Sequence, residues 1–257
     1  MYQPKLASRE RILFYGPAGS GKSDAAYSLA KRIIESGNTV FVVDNDYSYA
    51  RQAELDPPAN ASGLILREAY PDDWSGMMGA LEQAVEHGQR DDLLIIDSMT
   101  PTWQAAQEWY TEQVFGASMD EFFLNARKEM KGNRVEGFDG WKDWSVINKV
   151  YGVIYRMITR FPGHVVLTAE LENMMGGEDQ ETVGVFGPYR TKPRGQKRLP
   201  HTVNTIVMLK KDRAGSFRMT VVKDRGRERG EKIEDEEFDD FFMDYMVGVA
   251  GWRNNNG

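Results

Sequence analysis

Short apolar runs alternate with amphipathic helical patterns along most of the chain. The predicted strands are rich in valine, isoleucine, leucine and aromatic residues and lie at 11–15, 39–43, 64–66, 93–98 and 164–168. The predicted helices, in which apolar residues recur every three or four positions, lie at 23–34, 71–87 and 144–161. Because strands and helices alternate, the pattern predicts an α/β fold with a mostly parallel central sheet and helices on both faces.

The rest of the chain has less regular patterns. Residues 101–160 as a whole are mainly helical, and we expect them to form a helical insertion in the core. Two strand-like runs, 205–211 and 217–223, flank a turn and predict a C-terminal β-hairpin. Residues 172–200 are glycine-rich and polar with little periodicity, so we expect a long loop there.

Charge is distributed unevenly, although the formal net charge is only −7. An acidic-aromatic stretch opens residues 231–257, so we expect a core domain over 1–230 followed by a tail whose aromatic side chains dock on it. In contrast, residues 190–198 form a basic segment without an acidic residue. The cations of this basic segment are Arg190, Lys192, Arg194, Lys197 and Arg198. Local patches are therefore a better guide to partners than the net charge.

Composition narrows the class of protein further. The 257 residues suit one large α/β domain with insertions. The chain has no cysteine, which excludes disulfides, zinc–thiolate sites and thiol nucleophiles. No apolar run approaches the length of a membrane span, and the N-terminus lacks the apolar region of a signal peptide. We therefore expect a cytoplasmic protein with no membrane partner.

The segment between the first strand and the first helix fits the P-loop pattern. It reads Gly16-Pro17-Ala18-Gly19-Ser20-Gly21-Lys22-Ser23. In this setting the glycines let backbone N–H groups turn toward phosphate oxygens, and the helix N-terminus adds partial positive charge. Lys22 can reach the β- and γ-phosphates, and the Ser23 hydroxyl can hold Mg²⁺. The chain is therefore predicted to bind a nucleoside triphosphate together with Mg²⁺.

Charged residues at the ends of two predicted strands are further candidates for the site. Asp97 ends the apolar run 93–96, and the C-terminal edge of a parallel sheet is where ligands bind, so Asp97 is expected to hold Mg²⁺ in concert with Ser23. The alternative is that Asp97 caps the next helix. Lys223 and Arg225 end the last strand, and their spacing places both cations on one side of an extended chain.

Together, the P-loop, the strand ending Asp97-Ser98, Thr168 and the Lys223-Asp224-Arg225 segment resemble the small phage-encoded RecA-like NTPases. This group includes single-strand annealing recombinases built on a minimal RecA core and phage AAA-type nucleotide-binding proteins. The resemblance covers most of residues 10–226. It implies a RecA-like P-loop fold, ATP as the nucleotide, Mg²⁺ dependence, binding of single-stranded DNA, and self-assembly into a ring or short filament.

The resemblance also implies roles for single residues. Ser98 stands where AAA+ and many helicase-type ATPases have a second acid, and the RecA branch commonly has serine there. Asp46 lies where RecA-like proteins carry the acid that orients the attacking water, with Asp44 and Glu68 as rivals. Thr168, or Glu170 beside it, would sense the γ-phosphate.

Two other segments acquire expected roles from the resemblance. Lys223 and Arg225 would reach the γ-phosphate of a neighbouring subunit, where cationic charge stabilises the transition state. Residues 172–200, which include the basic segment, follow the sensor strand at the place where RecA-like proteins put a DNA-binding loop.

Other functions remain open at this point. The acidic tail could recruit a single-strand-binding protein, or it could cover the basic segment. A P-loop kinase would use the basic segment as a lid over an acceptor, although no acceptor motif is visible. A nucleotide-gated module that acts on a protein partner, such as a helicase loader, would use the same P-loop.

Overall fold

The computed structural model describes residues 9–45, 47–58, 63–68, 73–129 and 139–252. The strands are β1 (Arg11–Gly16), β2 (Val40–Asp44), β3 (Leu64–Glu68), β4 (Leu93–Asp97), β5 (His164–Asn173), β6 (Thr191–Pro193), β7 (Thr205–Lys211), β8 (Phe217–Asp224) and β9 (Glu236–Glu237). The helices are α1 (Lys22–Glu35), α2 (Ser48–Leu55), α3 (Trp74–His87), α4 (Met99–Phe115), α5 (Met119–Glu129), α6 (Gly140–Arg160), α7 (Gln180–Phe186) and α8 (Leu199–Thr202), followed by a short C-terminal helix (Phe242–Val247).

A single sheet organises the described part of the chain. Its strand order is β3-β2-β4-β5-β1-β7-β8-β9, and β6 pairs with the far end of β5. The six strands from β3 to β7 in this order run parallel, while β8 pairs antiparallel with β7 and β9 pairs antiparallel with β8. The predicted α/β fold with a mostly parallel sheet and a C-terminal hairpin is therefore confirmed.

Helices cover both faces of this sheet, because its central strands are apolar on both sides. Strands β2 and β4 are buried at every position. On one face they pack against α3, α4 and α6, and on the other against α1. Parallel strands that are buried on both faces have continuous apolar sequences, so these strands could be predicted from the sequence.

The aromatic residues of the tail fill the layer on the α1 face. Phe241 packs edge-on against Phe14 of β1 at a ring distance of 4.7 Å and stacks on Tyr245 at 5.1 Å. Phe238, Phe241, Phe242 and Tyr245 are all buried. The expectation that the tail aromatics dock on the core is confirmed.

Residues 172–200 are more ordered than the sequence pattern predicts. Strand β5 continues to Asn173 and pairs with β6 as an antiparallel ribbon. Helix α7 begins after Asp179, whose side chain accepts a hydrogen bond from the Thr182 N–H. The prediction of a long loop is therefore wrong. The strands and helices in this segment were missed because each is too short to show a periodic pattern.

Strand direction assigns the two ends of β1 to opposite edges of the sheet. The P-loop follows Gly16 at the C-terminal edge. At the other edge the Asn204 N–H donates to the Arg11 carbonyl (2.8 Å), and the Arg225 N–H donates to the Asn204 carbonyl (3.0 Å). The length of β1, about 17 Å, therefore separates Arg225 from the P-loop of the same chain. Among the described residues, no helix is both long and apolar enough to cross a bilayer.

Candidate nucleotide site

The P-loop has a backbone that requires glycine at two positions. Gly21 adopts a φ of 85° and immediately precedes α1. A Cβ atom at this position would lie 2.9 Å from the Phe217 ring. A Cβ atom at Gly16 would lie 2.1 Å from the Leu209 carbonyl oxygen. The turn therefore has little room for side chains, and it leads into the N-terminus of α1, which favours an anion.

Lys22 folds back over the loop it follows. Its Nζ donates hydrogen bonds to the Gly16 carbonyl at 3.0 Å and to the Pro17 carbonyl at 2.9 Å. These contacts hold the ammonium group over the turn formed by the P-loop glycines. Phosphate oxygens entering this turn would meet both the cation and the backbone N–H groups.

Asp97 is the centre of a polar cluster beneath the P-loop. The Ser23 Oγ donates a hydrogen bond to one carboxylate oxygen at 2.7 Å, and the Thr168 Oγ1 donates a short hydrogen bond to the other. Asp97 and Thr168 are fully buried. Ser98 occupies the N-cap position of α4 without a side-chain capping hydrogen bond, so Asp97 is not the cap of this helix. Hydroxyl and carboxylate oxygens of this kind fit Mg²⁺.

Three acids, Asp44, Asp46 and Glu68, are candidates for orienting the attacking water. Asp44 is buried and accepts hydrogen bonds from the N–H groups of Ser48 (3.1 Å) and Tyr49 (2.9 Å), so its carboxylate secures the start of α2. Asp46 lies outside the described residues. Glu68 ends β3 beside Asp44, and its side chain also lies outside the described part. The assignment of Asp46 as the catalytic acid stays a prediction.

Sequence reasoning missed Asn45, which ties β2 to the end of β4. Its N–H donates to the Asp97 carbonyl at 2.7 Å, and its side-chain amide donates to the Ser98 carbonyl at 2.9 Å. The side chain is buried and also contacts Thr102. Asn45 therefore fixes the backbone on which Asp97 sits, a role that only the neighbouring strand order reveals.

Lys223 and Arg225 differ in their surroundings. The Lys223 Nζ donates to the carbonyls of Pro200 (2.7 Å) and Val203 (3.1 Å). Burial, together with the charge of Arg225, holds the pKa of Lys223 below its ordinary value. Arg225 is exposed at the sheet edge opposite the P-loop. Of the two, Arg225 is the cation whose side chain is available to a second molecule.

A hydrogen-bond relay joins the strand of Thr168 to the basic segment. The Glu170 N–H donates to the Thr100 hydroxyl at 3.1 Å, and that hydroxyl donates to the Arg194 carbonyl at 3.0 Å. The Arg194 N–H donates a hydrogen bond to the Glu170 carbonyl at 2.7 Å, and the side chains of these two residues form an ion pair at 2.9 Å. The start of α4, the end of β5 and the basic segment are therefore connected directly.

The cations of the basic segment do not form one surface. Arg194 pairs with Glu170, while Lys192 pairs with Glu172 at 3.2 Å and Glu178 at 3.8 Å. Arg190 is exposed and adopts a left-handed φ of 56°. Lys197 and Arg198 are exposed and line a separate groove. The five cations of the basic segment are thus divided into two in ion pairs, two in the groove, and Arg190, which is exposed outside both groups.

This cationic groove has a volume of about 1330 Å³ and lies between α6 and residues 195–204. Among the described residues that line it, none is acidic. Its cationic lining comprises Arg11, Lys149, Arg156, Arg160, Lys197, Arg198 and Arg225. The three α6 cations were missed from sequence, because they are far from the basic segment and join it only through the topology.

Comparison with known proteins places the chain in a family. The family described as AAA domain matches residues 8–226, although Asp97 is followed by Ser98 rather than by a second acid. Two relatives are the DNA repair and recombination proteins RadB of Halobacterium salinarum strains R1 and NRC-1, each 22% identical over 227 residues that cover 86% of this chain and 80% of the relative. A crystal structure of the RadB recombinase aligns at 18% identity with a TM-score of 0.48, over 84% of this chain and 82% of that one. With most of its length matched and its P-loop assembled, the chain belongs to the AAA-domain family of P-loop NTPases.

Proposed function

We propose that this protein is a Mg²⁺-dependent, RecA-like ATPase that acts on single-stranded DNA in recombination or annealing. The observation that carries this proposal is the division of charged groups between two edges of one sheet. The P-loop lies at one edge and Arg225 at the other, so Arg225 can serve only the nucleotide of a second copy. Such a head-to-tail contact generates a ring or a short filament.

The roles of this chain's residues follow from their positions. The P-loop N–H groups and Lys22 bind and orient the β- and γ-phosphates. Ser23 and Asp97 would hold Mg²⁺, which supplies charge neutralisation to the transferring phosphoryl group. Thr168 keeps the Asp97 carboxylate in place. Asp46 would orient the attacking water, and Arg225 of a second copy would stabilise the negative charge that develops.

Action on DNA rests on different support. The curated relatives are named as DNA repair and recombination proteins, and the basic segment is linked through Glu170 and Thr100 to the end of β5, the strand that carries Thr168. A change at Thr168 on nucleotide binding would be transmitted along β5 to this segment. A phage origin and a single-strand-binding protein as partner remain proposals from the family resemblance.

The test is steady-state ATP hydrolysis with and without single-stranded DNA, over a series of protein concentrations. We expect stimulation by DNA and a specific activity that rises steeply with protein concentration, because each complete site needs two copies. A low rate that responds to neither variable would contradict the proposal. A kinase would instead phosphorylate an acceptor in a nucleoside monophosphate screen, and a partner module would copurify with a helicase.

A further inference from the structure

We propose that the cationic groove is the path of a single-stranded nucleic-acid backbone across the protein, an inference that rests on the proposed function. It assigns nucleic-acid contact to α6, a helix that carries no sequence signature for it. The sequence alone directs attention to the basic segment, of which Lys197 and Arg198 line the groove, while the charges of Lys192 and Arg194 already meet glutamates.

The charge of the groove selects a polyanion. Cations enter it from α6, from residues 197 and 198, and from the sheet edge at Arg11 and Arg225, while none of its described lining residues is acidic. In a protein with a net charge of −7, such a one-sided surface would concentrate its field on an anionic ligand. Neutralisation of phosphates by lysine and arginine is the main source of affinity for nucleic acid.

The length of the groove favours a polymer over a single triphosphate. Lys149, Arg156 and Arg160 are separated by seven and four residues, so they share one face of α6. Their positions span about 16 Å along the helix axis. A nucleotide that met Arg225 would bring only three phosphates to the groove, too few to pair with all of its cations. Repeated phosphates along a strand would meet all of them.

The groove also provides surfaces for bases. Trp103 and Tyr155 line it and are half-buried, since both pack edge-on against Tyr151 and Trp103 also stacks on Trp144. Exposed bases could stack on the ring surface that remains in the groove. The Tyr155 hydroxyl donates to the Gln196 side chain at 3.0 Å, which holds this ring in place and joins α6 to the opposite wall. A single strand, whose bases are free to splay, uses such faces, whereas a duplex keeps its bases stacked.

The test compares two double variants of the full-length protein. Arg156→Ala/Arg160→Ala removes two exposed groove cations, and Arg90→Ala/Arg229→Ala removes two exposed arginines that do not line the groove. Binding to a fluorescein-labelled oligo(dT) is measured by anisotropy across a salt series, with Mg²⁺ and a slowly hydrolysed ATP analogue present. Circular dichroism and thermal unfolding establish that both variants are folded.

We expect the groove variant to lose at least about tenfold in affinity and the slope of log K against log salt to become shallower by about 1.4. The control variant should keep the wild-type affinity and slope. A groove variant that binds DNA like the control would overturn the assignment while leaving the proposed function intact. A variant that binds DNA normally but loses hydrolysis without DNA would identify the groove as a receptor for a second copy's nucleotide. A wild-type protein that binds no single strand would overturn both proposals.

Discussion

The Ser23 hydroxyl donates a hydrogen bond of 2.7 Å to the Asp97 carboxylate, joining the first turn of α1 to the end of β4. These two residues are 74 positions apart in the chain. Their contact places a hydroxyl and a carboxylate side by side beneath the P-loop, which is the donor set that Mg²⁺ prefers. The two groups that would hold Mg²⁺ therefore already lie side by side in the fold.

Thr168→Val tests whether the hydrogen bond from Thr168 holds the Asp97 carboxylate in position. Valine keeps the shape of the side chain and removes the hydroxyl that donates to the carboxylate. We expect hydrolysis to fall by roughly 10- to 100-fold and the Mg²⁺ concentration at half-maximal rate to rise. Unfolding should become easier by about 1–3 kcal/mol, because a buried acceptor loses its donor.

The matched control is Thr205→Val, which removes another buried hydroxyl. Thr205 donates to Asp224 at 3.3 Å, at the sheet edge away from the P-loop. It should cost comparable stability and leave the Mg²⁺ dependence unchanged. If the two variants show the same Mg²⁺ dependence, Thr168 has only a structural role.

Gly21→Ala tests the need for glycine in the P-loop. An alanine there would adopt a left-handed φ of 85° and would contact the Phe217 ring at 2.9 Å. The loop must shift, at a cost of about 1–2 kcal/mol, which would redirect its N–H groups and weaken ATP binding by about tenfold. Gly79→Ala is the control: nothing lies within 4 Å of the added Cβ in the interior of α3, so up to about 1 kcal/mol of stabilisation is expected. Equal ATP affinities in titrations with a fluorescent analogue would show that the turn tolerates a side chain.

The buried side chain of His164 should make the free energy of unfolding depend on pH. Burial lowers the pKa of this imidazole to about 4, and its Nδ1 accepts the Glu10 N–H at 3.2 Å in the neutral form. The unfolded chain, in which the pKa is about 6.5, binds the proton first, so stability should fall as the pH drops from about 6.5 to 4, by up to about 3 kcal/mol.

His164→Gln isolates this contribution. The variant lacks the titrating group, so its denaturant midpoint should fall less steeply between pH 7 and 5 than that of the wild type. Other acids titrate in both proteins and cancel in the comparison. Identical slopes would show that His164 is not responsible for the dependence.

The sheet could be predicted from sequence because its strands are buried on both faces. The runs at β1, β2, β4 and β5 are continuous and apolar, and each is bounded by polar residues. Helix α2 was not predicted, because its eight residues carry a weak pattern and its start depends on hydrogen bonds from Asp44.

The site was predictable where one motif supplied its residues, and not where topology assembled them. The P-loop could be identified from its motif, and Asp97 could be predicted as a site residue from its position at the end of an apolar strand. The anchoring of Lys223 by the carbonyls of Pro200 in α8 and Val203 just after it could not be predicted, because no local pattern connects these residues to the end of β8. The α6 cations likewise joined Lys197 and Arg198 only in three dimensions.

The central claim is that one active site needs groups from two copies of the chain. Lys22→Ala should lower hydrolysis by at least roughly 100-fold, because it removes the cation at the phosphates. Arg225→Ala should retain ATP binding and lose hydrolysis, because in the proposed assembly Arg225 would reach the nucleotide of a second copy. Each variant keeps the group that the other lacks.

The most direct measurement is therefore the ATPase rate of an equal mixture of Lys22→Ala and Arg225→Ala protein, with single-stranded DNA present. In random head-to-tail assemblies, about a quarter of the interfaces would join an intact P-loop to an intact Arg225, so recovery toward about a quarter of the wild-type rate is predicted. Lys22→Ala mixed with the Lys22→Ala/Arg225→Ala double variant contains no such interface and should stay inactive. A mixture of the two single variants that is no more active than the sum of its components would contradict the shared site.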